Sequence, residues 1–186
     1  MDDFEILTKM ARTDAPELYE LTDNPQIYLH WTAGRYGVSS EHYHICIDKD
    51  GTIEFMCESL AEKLSHTYGR NSGNIGIAIE GCYDAVVYDD EKDGHFADMG
   101  SEPPTAKQLD TMAKCIAIIC RELEIPIDDE HVITHAEAAD EDGYGLDDDD
   151  PDCRWDGAVW HSYDVWGTGG DIIRKMAQAR QEADNV

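Results

Sequence analysis

The sequence predicts an α/β fold in which one mixed central β-sheet carries helices on both faces. Three observations lead there. Short β-prone runs alternate with helix-patterned stretches along the chain, the order that builds mixed sheets. With 186 residues, 41% of them hydrophobic, the chain can bury a full core and suits one domain spanning 1–186. No internal repeat divides it.

The elements follow in order. Residues 3–12 put Phe4, Leu7, Met10 and Ala11 on one helical face. "QIYLHW" (26–31) is β-rich and follows the breaker "DNP". "YHICIDKDGTIEFMC" reads as a hairpin, because two β-prone runs flank Lys49-Asp50-Gly51 and Asp-Gly suits a tight turn. "NIGIAIEG" (74–81) is an apolar run fit for a central strand. The clearest helix is 105–123. Thr105 and Gln108 form a capping-box pattern there, and Leu109, Met112, Ile116, Ile119 and Leu123 recur at helical spacing. "HVITH" (131–135) is a further short strand, 137–153 reads as loop, and 171–183 closes the chain as a helix.

Charge excludes whole classes of function. The net charge of -27 repels nucleic-acid phosphates and anionic lipid surfaces, so no nucleic-acid partner is expected. No run approaches 18 apolar residues, so no membrane span is expected. The N-terminus is acidic and has no apolar signal core, which predicts a protein that is cytoplasmic as made. The six cysteines form no CxxC pair and sit mostly in apolar runs, where they read as reduced small hydrophobes. Cys153, among polar neighbours, is the exception.

Chemistry points first to histidine. His30 ends "IYLH" and His135 ends "VITH", so two imidazoles stand where buried strands run into loops. Zinc sites combine such nitrogens with a carboxylate or thiolate, and a zinc held by three side chains keeps one position for water. The acidic loop after His135 is rich in possible third ligands. It is not a calcium loop of the EF-hand type. "AADEDGYGLDDD" has Ala138 at the first position and Asp149 at the twelfth, where that loop needs Asp and Glu.

"YLHWTAG", "YHICIDKDGTI", "SHTYGRNSGNIGIAI", "VITHAEA" and "DPDCRWD" resemble, in order, successive blocks of the type 2 zinc N-acetylmuramoyl-L-alanine amidases. That family shares its fold with phage lysozyme-type endolysins and peptidoglycan recognition proteins. The resemblance spans about residues 26–160. It implies the amidase type 2 fold, a Zn2+ cofactor in an open groove, and hydrolysis of the amide between the muramic acid lactyl group and L-alanine of peptidoglycan or a muropeptide. His30 and His135 match the zinc-binding histidines. Tyr43 matches the catalytic tyrosine of the phage-lysozyme branch, and His44 beside it reads as structural. His66, Arg70 and Asn71 lie in a block that lines the substrate groove; simple turn chemistry is the alternative for the last two.

Two departures stand out. Ala78 occupies the position where some branches carry a catalytic glutamate, and Glu80 reads as structural. A lysine that other members place two residues before the third ligand is here Asp148, if Asp150 is that ligand, which leaves polarisation of the substrate carbonyl to zinc and Tyr43, with Arg154 as a further cation. Alignment of Trp155-Asp156 with the aromatic–acid pair of the carboxylate-using branch selects Asp150, which precedes Pro151, as the third ligand. Asp152 and Cys153 are the alternatives. The resemblance further implies a phage or prophage endolysin that reaches the cell wall by holin-type release, and a monomer is expected. A non-catalytic peptidoglycan-binding protein of the same fold and a cytoplasmic muropeptide-recycling amidase are the competing readings.

Overall fold

The computed structural model describes residues 1–90 and 94–184. Helix α1 (Asp3–Leu21) leads into strand β1 (Ile27–Trp31). Strands β2 (Ile45–Ile47) and β3 (Ile53–Phe55) form the expected hairpin, and β4 (Ile75–Ile79) follows. A second hairpin, β5 (Val86–Asp90) and β6 (Gly94–Asp98), precedes α2 (Ala106–Leu123). Strand β7 (Val132–Thr134) runs straight into α3 (His135–Asp142), and α4 (Gly169–Asp184) closes the described chain.

The main sheet has the order β3-β2-β4-β1-β7; β3 pairs antiparallel to β2 and every other pairing is parallel. Alternation along β1 splits its side chains between two layers. Ile27, Leu29 and Trp31 enter the large core with Ile75, Ile77 and Ile79 of β4 and the buried stripe of α2. Helices α1 and α4 pack against α2 in that same layer. Tyr28 faces the other way and packs with Ile133 and Ala138 of α3. The sheet therefore has helices on both faces, but unequally: three on one side, and the short α3 on the other. His30 shares Tyr28's side, so the thinner layer holds the chemistry.

Helix α2 is capped as the sequence indicates, with the Thr105 hydroxyl accepting from the Gln108 amide at 3.1 Å and the Gln108 side chain accepting from the Thr105 amide at 3.0 Å. Three elements depart from expectation. Helix α1 runs past Arg12 and through Pro16 to Leu21, because Leu18 continues the buried face. The hairpin β5–β6 has no counterpart in the sequence reading. The third is α3, in a stretch expected to become loop after residue 137. Its residues, HAEAADED, are too acidic to show an apolar stripe. The signal lay in "THAE": Thr134 and Glu137 form a capping box around the first turn.

All six cysteines are unpaired. Among the described residues, no helix is long and apolar enough to cross a membrane.

Candidate metal and active site

Three chain segments converge beyond the end of β1. Strand β1 delivers His30, whose register partner on β4 is Ala78. The β7–α3 junction delivers His135 as the first residue of a capped helix. The segment following the acidic run delivers Asp156. All three side chains are buried. His30 Nδ1 lies 2.9 Å from Asp156 Oδ2 and 3.1 Å from His135 Nδ1, and His135 Nδ1 lies 3.0 Å from Asp156 Oδ1. Among the described residues, this is the one group of three that could hold a metal ion.

The backbone explains the convergence. The Ala136 amide, free at the start of α3, donates to the Asp156 carbonyl at 3.0 Å. Gly157 follows with φ +83°, and a Cβ there would stand 2.7 Å from Cβ of Thr134. A residue without a side chain lets the two strands of chain meet, so Asp156 is tied to the same turn that carries His135.

Electrostatics tighten the group. Burial alone would raise the Asp156 carboxyl, but the imidazoles of His135 and His30 outweigh it and hold Asp156 well below the usual carboxylate range. Burial lowers His30, with Asp156 opposing. At neutral pH the set thus offers a carboxylate and a neutral imidazole at His30. The donors also fit zinc. Four ligands set tetrahedrally at about 2.0–2.1 Å from zinc lie about 3.3 Å from one another, close to the 2.9–3.1 Å spacings here. Two imidazoles and one carboxylate form a catalytic type of donor set, since three protein ligands leave a position free.

Around this centre, the Thr67 hydroxyl stands 3.4 Å from His30 Nε2 and steadies the ring from behind. Tyr43 is half-buried, its ring centroid 4.9 Å from that of His30. Burial pushes its phenol above the ordinary tyrosine range, Asp156 adds to the shift, and Arg154 opposes it.

The positions read from sequence separate at this point. His30, His135 and Tyr43 come together. Asp150 does not join them, and the third member of the group is Asp156. The acids before it lie in surface turns, where Asp150 Oδ1 accepts from the Asp152 amide at 2.8 Å and Asp152 is exposed. Cys153 is half-buried and also lies outside the group. The signal for Asp156 was its place at the start of the apolar "DGAVW", where an acid enters the interior. Arg154, a cation, stands two residues before Asp156.

The three expected groove residues are occupied internally. His66 is buried, with its ring nitrogens 3.0 Å from the Thr67 hydroxyl and 3.3 Å from the Asn74 carbonyl. Burial, with His30 and His44 nearby, drives it far below the ordinary imidazole range, so it is neutral. Arg70 donates to both oxygens of Asp142 (2.7 and 2.8 Å) and to Glu141 (2.8 Å), bracing its loop against α3. The Asn71 side chain accepts from the amides of His66 and Thr67 at 3.1 and 2.8 Å, which is turn chemistry.

Comparison with known proteins now decides the family. Residues 10–152 match the family described as Amidase_2, N-acetylmuramoyl-L-alanine amidase. The chain belongs to the Amidase_2 family. The match covers both histidines and Tyr43 and stops short of Asp156. No curated protein sequence matches the chain. Among solved structures, the chain is similar to the endolysin amidase LysCS of Clostridium intestinale URNW, at 22% identity and a TM-score of 0.42 over 60% of this chain and 69% of that one. It is also similar to PGRP-SA of Apis mellifera, at 19% identity and a TM-score of 0.42 over 60% and 70%. As an Amidase_2 member, the chain is a peptidoglycan amidase or peptidoglycan-binding protein of the α/β class.

Proposed function

We propose that this chain is a zinc-dependent N-acetylmuramoyl-L-alanine amidase that hydrolyses the bond between the lactyl group of N-acetylmuramic acid and L-alanine, acting as a monomeric endolysin of phage or prophage type. The buried trio His30, His135 and Asp156 carries this reading, because a binding protein has no need of three metal-type donors around one point. The endolysin role rests on the resemblance of the sequence blocks alone.

In this reading His30, His135 and Asp156 hold the metal. Zinc, when bound, supplies Lewis acidity to the scissile carbonyl and to water. The chain's own residues do the rest. Thr67 fixes the His30 ring, and the capped turn of α3 fixes His135. Tyr43 keeps its phenolic proton at neutral pH, so it can donate to the carbonyl oxygen as negative charge develops there. Arg154 is exposed, yet close enough to oppose the shift of Tyr43 and so to add positive potential at the same place.

The test is digestion of purified peptidoglycan by the zinc-loaded protein, with mass spectrometry of the products. Release of stem peptides with a free L-alanine amine, abolished by a chelator, is expected. Retention on peptidoglycan without a new amine would establish the binding-protein reading instead.

A further inference from the structure

Arg174 of α4 is a buried cation with no role in the site described above. Its guanidinium grips Glu137 of α3 with two bonds, Nη2 to Oε1 at 2.9 Å and Nη1 to Oε2 at 3.1 Å. Nη1 also donates to the Val132 carbonyl on β7 at 3.0 Å, and Nη2 to Asp171 at 2.9 Å. A planar fork that meets a carboxylate in this way fixes direction as well as distance. Glu137 is in turn the second half of the α3 capping box: its Oε2 accepts from the Thr134 amide at 2.8 Å, while its own amide donates to the Thr134 hydroxyl at 3.2 Å. Packing is close on the far side too, where a Cβ on Gly170 would come 2.2 Å from Glu137 Oε1.

Between Thr134 and Glu137 lies His135. One guanidinium therefore holds the strand that ends before His135 and the carboxylate that closes the turn after it. The Asp156 carbonyl is bonded to the same turn through Ala136, so two of the three donors share this support. We propose that Arg174 is a positioning residue: acting through Glu137, it sets where His135 and Asp156 stand relative to His30 and thereby sets the affinity of the site for zinc. The proposal rests on the metal-site reading above. Groups behind a ligand commonly change metal affinity by about 10–100-fold when removed.

The zinc dissociation constant of the full chain, measured by competition with a chromophoric chelator, tests this alongside the melting temperature of the metal-free protein. Arg174→Met and Glu137→Ala should each weaken zinc binding about 10–100-fold. The double variant should be no weaker than the poorer single one, because both act on one linkage. Arg174→Lys keeps the charge without the fork and should fall between. Asp171→Asn keeps a side-chain oxygen to accept from Arg174 Nη2 and leaves the fork on Glu137 in place, so it should stay within about twofold of wild type. A merely structural role would lower the melting temperature and leave the dissociation constant of the folded protein unchanged, and that result overturns the proposal. If Arg174→Met does not fold, Glu137→Ala and Arg174→Lys decide by the same criterion. Absence of zinc binding by the wild-type chain would overturn the metal reading itself, and this proposal with it.

Discussion

Replacing Asp156 with alanine removes the one carboxylate of the buried trio. That carboxylate stands 2.9–3.1 Å from both imidazoles, whereas Asp150 caps a surface turn. Removing one of three protein donors takes away roughly a quarter of a four-coordinate binding energy. Structural zinc binds with about 10–16 kcal/mol, so one donor is worth about 2.5–4 kcal/mol, or roughly 10²–10³-fold in affinity. Asp156→Ala should therefore weaken zinc binding by about that factor and abolish hydrolysis. Asp150→Ala and Cys153→Ser should leave both within about threefold, because both side chains are only half-buried and lie outside the donor group. The assay pairs chelator competition with release of L-alanine amines from peptidoglycan, on protein whose circular dichroism matches wild type. Zinc loss in Asp150→Ala, with retention in Asp156→Ala, would refute the assignment. It would mean that the acidic run folds inward when metal is present.

Three other outcomes are expected. Tyr43→Phe should lower kcat about 10²–10³-fold with zinc content unchanged, because it removes one donor to the developing oxyanion; an unchanged kcat would leave Tyr43 a packing residue. Arg70→Ala should lower the melting temperature by freeing the loop braced on Asp142 and Glu141, while KM for peptidoglycan fragments holds; a large rise in KM at wild-type stability would return Arg70 to the substrate groove. Glu80 is fully buried, and among the described residues no donor stands in good hydrogen-bond geometry to either carboxylate oxygen, the amides of Gly37 and Val38 being near but poorly aligned. Burial raises its pKa, with Glu54 and Asp48 adding to the shift and the amides of Gly37 and Val38 opposing it. The folded state thus favours the protonated form. Its contribution is fully present below the unfolded carboxyl pKa of about 4.3 and is lost as pH rises through the higher folded value. Glu80→Gln should consequently be more stable than wild type at pH 7, and the difference should vanish near pH 4. A difference that persists at pH 4 would show that packing, not ionisation, is responsible.

Much of the architecture was legible without coordinates. Each of β1, β2, β3, β4 and β7 announces itself as an apolar run, and α2 carries both its stripe and its cap in sequence. Local rules governed those segments, because each buries its own pattern. The histidines were legible for a related reason, since each stands at the C-terminal end of a buried apolar run, His30 one residue before the end of β1 and His135 directly after β7. The acidic segment had no such pattern. Asp150 and Asp156 are both acids near an aromatic, and their local chemistry does not rank them. What ranks them is a bond between the Ala136 amide and the Asp156 carbonyl, and a glycine that lets the Asp156 chain touch Thr134. These contacts join residues about twenty positions apart and exist only once α3 has formed. Arg70, Asn71 and His66 are bonded within the fold for a similar reason. A side chain capable of binding a sugar is equally capable of bonding to its own fold, and the partners that claim it, such as Asp142 for Arg70, come from elsewhere in the chain. Sequence alone determined the family and the strands of the main sheet, and it singled out the two histidines, because those depend on local pattern. The carboxylate beside the two imidazoles, and the guanidinium that braces the neighbouring turn, were decided by the tertiary structure, because only packing brings α4, α3 and the end of β7 to one point.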